Sequence, residues 1–269
     1  MSGNNVPTNR LQAGAGIALV GIIAVLALAS LVWTPHGGAG GGVALAEPST
    51  THWLGTDHTG RDLVSALMSA TLMSLLLAWF ATLVSLVVGI PLGTLLAARL
   101  GAGAARQLVL VGILPAALCL GAIFGGLGLQ STLSVFLAIG LPGAIAATAA
   151  ARAIMAPVLG ADYVAAARLA GLGWLGAGQR HVVPMVLPGL VALGLELLAS
   201  AMLIEVTLSF AGLGVDGTGL SLGTLLRDGQ QLAQARPLLV VAPGAVAVVT
   251  ALALLIAAGG LREASRGAA

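Results

Sequence analysis

DYVAAARLAGLGWLGAGQRHVVPMVLP, residues 162–188, is the longest polar-punctuated stretch in a chain that is otherwise membrane-like. It carries Asp162, Arg168, Arg180 and His181, and the segments on either side are nearly chargeless. A helix starting at Asp162 takes in Ala165, Ala166 and Ala167 and breaks at Gly171 and Gly173, because glycine is a poor helix former. A second short piece leads to Pro184 and Pro188. Short helix, glycine turn, basic residues and a proline-started apolar span together describe a loop pressed against something at a membrane surface.

Composition sets the class. Of 269 residues, 58% are hydrophobic and 7% charged, and the mean hydropathy is +1.07. No soluble domain of this length needs so much apolar surface, so the chain reads as a polytopic helical membrane protein. The 11 basic residues are all Arg. Without Lys there is no GxxxxGKS/T phosphate loop, so a nucleotide that drives this protein is bound by another chain. Few charges set the pI near 9.5, which is no sign of nucleic-acid binding; Arg placement follows topology instead. Cys119 is the only cysteine. It allows no intrachain disulfide or CxxC metal site and reads as a small buried hydrophobe. Aromatics at 3% make no stacking platform, and the 39 Gly let helix backbones approach closely.

Working outward, the hydropathy pattern predicts an all-α protein with six transmembrane helices, at 11–33, 72–98, 107–128, 131–151, 185–211 and 238–260. A secretory signal competes for the first, because VALA at 43–46 precedes Glu47 in the manner of a cleavage site. The apolar run is long for a signal, and a Gly-rich stretch separates it from that site, so a retained helix is preferred. Residues 34–62 read as a loop and 63–71 as a short amphipathic surface helix. Arg152 closes the fourth span, and prolines within the spans are expected to kink them. The organisation is 1–70, a transmembrane helix plus extracytoplasmic loop, then 71–269, a core of five helices with a cytoplasmic loop at 158–184. With the N-terminus inside, Arg10, Arg99, Arg106, Arg152, Arg168, Arg180, Arg262 and Arg266 are cytoplasmic, and only Arg61, Arg227 and Arg236 lie outside. That asymmetry follows the positive-inside rule and places both termini in the cytoplasm.

The stretch at 162–188 resembles the EAA coupling loop of ABC importer permeases, with Ala165-Ala166-Ala167, Gly171 and RHVVPMVLP at 180–188 in its pattern. HWLGTDHTGRD at 52–62 resembles the HxLGTDxxGRD signature of the C-type permeases of dipeptide, oligopeptide and nickel importers. SFAGLG at 209–214, SLG at 221–223, APG at 242–244 and LRE at 261–263 are similar to further stretches of that family. The chain departs from it where Ala165 replaces the first Glu of the loop, Leu222 a Trp and Val109 an Asp. The residues after Glu263, ASRGAA, carry no acid where the family usually has an acidic tail. The resemblance covers roughly residues 50–263. It implies the type I importer permease fold in the cytoplasmic (inner) membrane. It also implies a homologous second permease, two ABC ATPases holding ATP and Mg, and an extracytoplasmic substrate-binding protein. Asp162, Ala165–Ala167, Arg168, Gly171, Arg180, His181 and Pro184 then meet the ATPase. No cofactor is expected on this chain, and nucleic acid is not among its partners.

Within the signature, Gly55 and Gly60 suit tight turns, Asp57 and Asp62 suit helix caps, and Arg61 can pair with either carboxylate. A metal site built from His52, Asp57 and His58 is the alternative; a turn that closes the outer face or meets a binding protein is preferred. Glu196 and Glu205 lie inside the fifth span, where a carboxylate faces a cavity or a partner. Nine residues apart, they fall on opposite helix faces about 13 Å apart along the axis. They are read as translocation-path residues, against an interfacial structural role. The chain carries no catalytic constellation, so it is expected to be no enzyme; the resemblance implies a permease for di- or oligopeptides. Nickel, a metal chelate or haem are alternatives in the same family, and a proton-coupled secondary carrier is the alternative of another class.

Overall fold

The computed structural model describes residues 6–33, 42–100, 106–128, 131–161, 182–214 and 220–266. These residues form seven helices: α1 (Val6–Ala29), α2 (Leu63–Leu100), α3 (Arg106–Gly126), α4 (Thr132–Leu159), α5 (Val183–Phe210), α6 (Leu222–Gln230) and α7 (Leu238–Arg266). Four of them, α2, α4, α5 and α7, are long and apolar enough to cross a membrane. Shorter apolar runs cover Gly14–Ala29 of α1 and Ile113–Gly126 of α3.

Three boundaries differ from the sequence reading. The expected surface helix at 63–71 is the first two turns of α2, which runs unbroken for 38 residues. Leu63, Ala66, Leu67 and Ala70 on its inner face are buried in the main core, so this segment has a packing partner and does not lie on the surface. α4 continues past Arg152 to Leu159. The Arg152 Nη2 donates to the Leu100 carbonyl at 3.3 Å. A cation at the end of α2 meets carbonyls that the helix leaves open, so the arginine need not end its own helix. α6 was not foreseen, because it is too polar for a hydropathy scan; its apolar residues share one face. Pro91, Pro115, Pro142, Pro157, Pro188 and Pro243 all lie inside helices. Cys119 is exposed on α3, contrary to the expected burial. Ile113, Ala117 and Gly121, each one turn from the next, are the buried positions among the described side chains of that helix, and Cys119 falls off their face.

The tightest packing joins α2 to α4. A Cβ on Gly89 would collide with the Ala147 side chain, and one on Gly93 would lie 2.6 Å from the Thr148 carbonyl oxygen. The Ser85 hydroxyl spans the same seam, 2.9 Å from the Ala81 carbonyl and 3.0 Å from that of Gly140. α5 packs on both helices, α7 on α5, and α1 on α7. At Gly16 a Cβ would lie 2.5 Å from the Ala257 backbone nitrogen. Small residues at each crossing match the way helices associate in lipid, where close backbone approach replaces the hydrophobic effect. Large apolar side chains such as Leu76, Trp79, Phe80, Leu83 and Val87 of α2 remain exposed on this single chain. The bundle has two ends. The loop before α2 and the helix α6 share one, where Arg236 donates to Glu47 at 3.2 Å. The other is an elbow end, where α2 and α4 finish and α5 begins.

Two same-size substitutions separate packing from lipid exposure. Gly93→Leu is expected to destabilise the detergent-solubilised protein by about 3 kcal/mol or more, through overpacking against α4. Gly21→Leu, where nothing lies within 4 Å, is expected to change stability by less than about 0.5 kcal/mol. Thermal unfolding of both variants checks the contrast.

Candidate functional site

The loop from residue 42 to residue 62 folds on itself before α2 starts. Gly55 and Gly60 have φ of 80° and 76°, a left-handed backbone open to glycine. A Cβ at Gly55 would also collide with the Ala46 carbonyl, and one at Gly60 with that of Gly42. Between them, Asp57 closes a turn: its Oδ1 accepts the Thr59 N–H at 2.8 Å, the Thr59 hydroxyl at 2.7 Å and the Arg61 N–H at 2.8 Å. Thr56 ties this turn to the preceding strand of chain, donating to the Val43 carbonyl at 2.6 Å and accepting from the Ala46 N–H at 2.8 Å. Asp62 caps α2, its Oδ2 accepting from both the backbone N–H and the hydroxyl of Ser65 at 3.0 Å. His52 Nδ1 lies 3.0 Å from Asp62 Oδ1. The signature residues are therefore a self-bonded knot, with Thr56, Asp57 and Asp62 all buried.

Two readings of this loop change: Asp57 closes a turn and caps no helix, and among the described residues Arg61 does not pair through its side chain. The Arg61 backbone, not its guanidinium, meets Asp57, and its Nε is buried with no hydrogen-bond partner among the described residues. His52, Asp57 and His58 do not converge. The first two are committed to the turn and the cap. His58 faces α6, lining a cavity of about 440 Å³ with Arg227, Asp228, Gln231 and Leu232. No group of three metal-ligating side chains exists among the described residues.

At the elbow end, Asp162, Ala165, Ala166, Ala167, Arg168, Gly171, Arg180 and His181 lie outside the described residues. Pro184 is described and sits exposed in the first turn of α5. Ala97 of α2, Met155 of α4, and Val182 and Val186 at the start of α5 form one buried cluster. The chain thus leaves α4 and enters α5 at neighbouring points, with the end of α2 beside them.

Both intramembrane carboxylates of α5 face neighbouring helices, on opposite sides of their own. Glu196 makes a two-pronged ion pair with Arg262 of α7, each side chain about a quarter exposed. Arg262 thus has a paired partner, which charge counting alone did not reveal. Glu205 is 0% exposed. Its Oε1 accepts from the Ser209 hydroxyl at 2.7 Å, and the hydroxyls of Ser74 on α2 and Ser221 before α6 also face it. The Ser209 contact is the one with full hydrogen-bond geometry, and Oε2 has no partner. The three serines were missed as site residues. The signal for two of them lay in the SFAGLG and SLG strings, and Ser74 was hidden in an apolar run.

No family model matches the chain. It is similar to the nickel transport system permease protein NikC of Escherichia coli (strain K12), 28% identical over 95% of this chain and 94% of that one. It is similar to the di/tripeptide transport system permease protein DppC of Pseudomonas aeruginosa (strain UCBPP-PA14), 33% identical over 78% of this chain and 70% of the relative. Near-complete coverage, all-helical architecture and spanning-length apolar helices agree on one conclusion: the chain belongs to the family of ABC-type permease subunits that serves peptide and nickel transport systems.

Proposed function

We propose that this permease subunit forms half of a translocation path for di- or oligopeptides in a binding-protein-dependent importer. It crosses the inner membrane six times, with α1 and α3 completing the count begun by the four long apolar helices, and both termini in the cytoplasm. Residues 1–70 supply the first helix and the outer loop, and 71–269 the transporting core. A homologous permease pairs with it, an extracytoplasmic binding protein delivers substrate, and two ATPases on the cytoplasmic side hold ATP and Mg. The observation that carries this reading is the relation to DppC over most of the chain, together with the elbow where α2, α4 and α5 meet. A motor that moves residues 162–181 acts on the ends of all three helices at once. Coupling is then mechanical, through Asp162, Ala165–Ala167, Arg168, Gly171, Arg180, His181 and Pro184.

Nickel or a metal chelate is the second reading, favoured by the relation to NikC over 95% of this chain. The absence of His from α5 supports the peptide reading. Competition settles the matter: radiolabelled dipeptide uptake in cells is expected to be suppressed by a peptide panel and unaffected by Ni²⁺. Suppression by Ni²⁺ alone reverses the order. The secondary carrier falls away with membership of the ABC family, and a check is co-purification with an ATPase subunit.

Two variants test the roles of the ends. Gly171→Trp is expected to leave membrane insertion unchanged while lowering uptake at least about tenfold relative to ATP hydrolysis, as loss of coupling of about 1.4 kcal/mol requires. Trp53 in the outer loop is 66% exposed, and exposed aromatics are frequent anchors at protein interfaces. Trp53→Ala is expected to weaken binding-protein docking by about 2 kcal/mol, roughly thirtyfold, with basal ATPase activity preserved. Titrating the binding protein against stimulated ATPase activity measures it.

A further inference from the structure

Glu205 sits where α2, α5 and the start of α6 meet, and its surroundings are built from donors. The Ser74 oxygen already accepts the Leu222 N–H at 3.0 Å. The Ser221 oxygen already accepts the Thr224 N–H at 3.3 Å, in a capping box. A serine hydroxyl has one proton, so one whose oxygen is accepting keeps that proton to give. Ser74 and Ser221 thus hold two N–H groups of the first turn of α6 beside the Glu205 carboxyl group, and Ser209 donates a hydrogen bond to it.

Two glycines make the approach possible. A Cβ at Gly223 would lie 2.5 Å from Ser209 Cβ and 3.0 Å from the Phe210 nitrogen, and one at Gly214 would lie 2.5 Å from the Ser209 hydroxyl oxygen. The backbone of α6 is thus pressed directly on the last turns of α5. An oxygen cage for a monovalent cation is disfavoured here, because the site already faces the positive end of a helix. A role on an open path is disfavoured because the side chain is fully covered.

We infer that Glu205 is a positioning residue, the buried carboxyl group that seats the N-terminus of α6 on α5 and α2. It thereby fixes Arg227 and Asp228 of α6 beside His58, at the end of the bundle opposite the elbow. α5 is one 28-residue helix, about 42 Å long, so a displacement at its Val183 end reaches α6 through this joint. The transport consequence rests on the importer reading above; the seating of α6 does not.

The test places a single reactive cysteine at Leu225, which is 6% exposed, in the Cys119→Ser chain within its membrane. The rate of N-ethylmaleimide labelling reports release of α6. Glu205→Leu, which removes both oxygens, is expected to speed labelling at least about tenfold, as loss of buried hydrogen bonds implies, and Glu205→Gln, nearly the same size with an acceptor oxygen kept, to label near the parental rate. A Leu variant that labels at the parental rate, or a Gln variant that labels as fast as the Leu variant, overturns the anchor. If either variant fails to reach the membrane, Ser74→Ala and Ser221→Ala carry the test, and unchanged labelling in both overturns the joint. Uptake is measured alongside. Absence of transport in the parent counts against the importer reading and leaves the labelling result standing.

Discussion

The close contact between Gly89 and Gly93 of α2 and the Ala144–Arg152 face of α4 is the constraint on which the rest of the bundle depends. Lipid gives two apolar helices no hydrophobic reason to associate, so they are held by short-range packing that requires missing side chains. Ser85 adds a bond across the seam to the Gly140 carbonyl. The paired helices offer a surface on which α5 packs, α7 packs on α5, and α1 on α7. A side chain in the seam separates the first pair and removes the platform for the remainder.

A chain with 7% charged residues still has to place them, and most of the buried polar groups follow one rule, with Arg61 Nε and Glu205 Oε2 among the exceptions: the group meets a ready-made partner. Asp57 accepts the N–H groups of its own turn, and Asp62 caps α2. Arg152 reaches the open carbonyl at the end of α2. Glu196 and Arg262 pair between helices. Glu205 is surrounded by hydroxyls beside a helix N-terminus. A buried charge left without such a partner is strongly destabilising, so these contacts fix helix ends and rotations as well as neutralising charge.

α5 joins the two halves of this picture. Its first turn lies in the cluster shared with the ends of α2 and α4, and its last turns carry α6. In the importer reading, the segment before Val183 receives the motor's stroke and the helix delivers it to the outer mouth. Small displacements suit such a device, because close-packed seams resist gradual deformation and pass motion on as rigid units.

The amino-acid sequence by itself determined the class, the place of the four long apolar helices and the family. Hydropathy over about 20 residues, the absence of Lys and the HWLGTDHTGRD string are local properties that need no coordinates. It also placed Gly55 and Gly60 in turns and Asp62 at a cap, because those roles involve residues close in the chain. The tertiary structure alone decided what lies across the bundle: that 63–71 is the start of α2, that Arg152 serves a neighbouring helix, that Glu196 meets Arg262, and that Glu205 is covered by Ser74 and Ser221. Helical periodicity states which residues share a face, and it correctly parted the two glutamates. What that face meets depends on the packing of helices distant in the chain, and one sequence carries no direct signal of that.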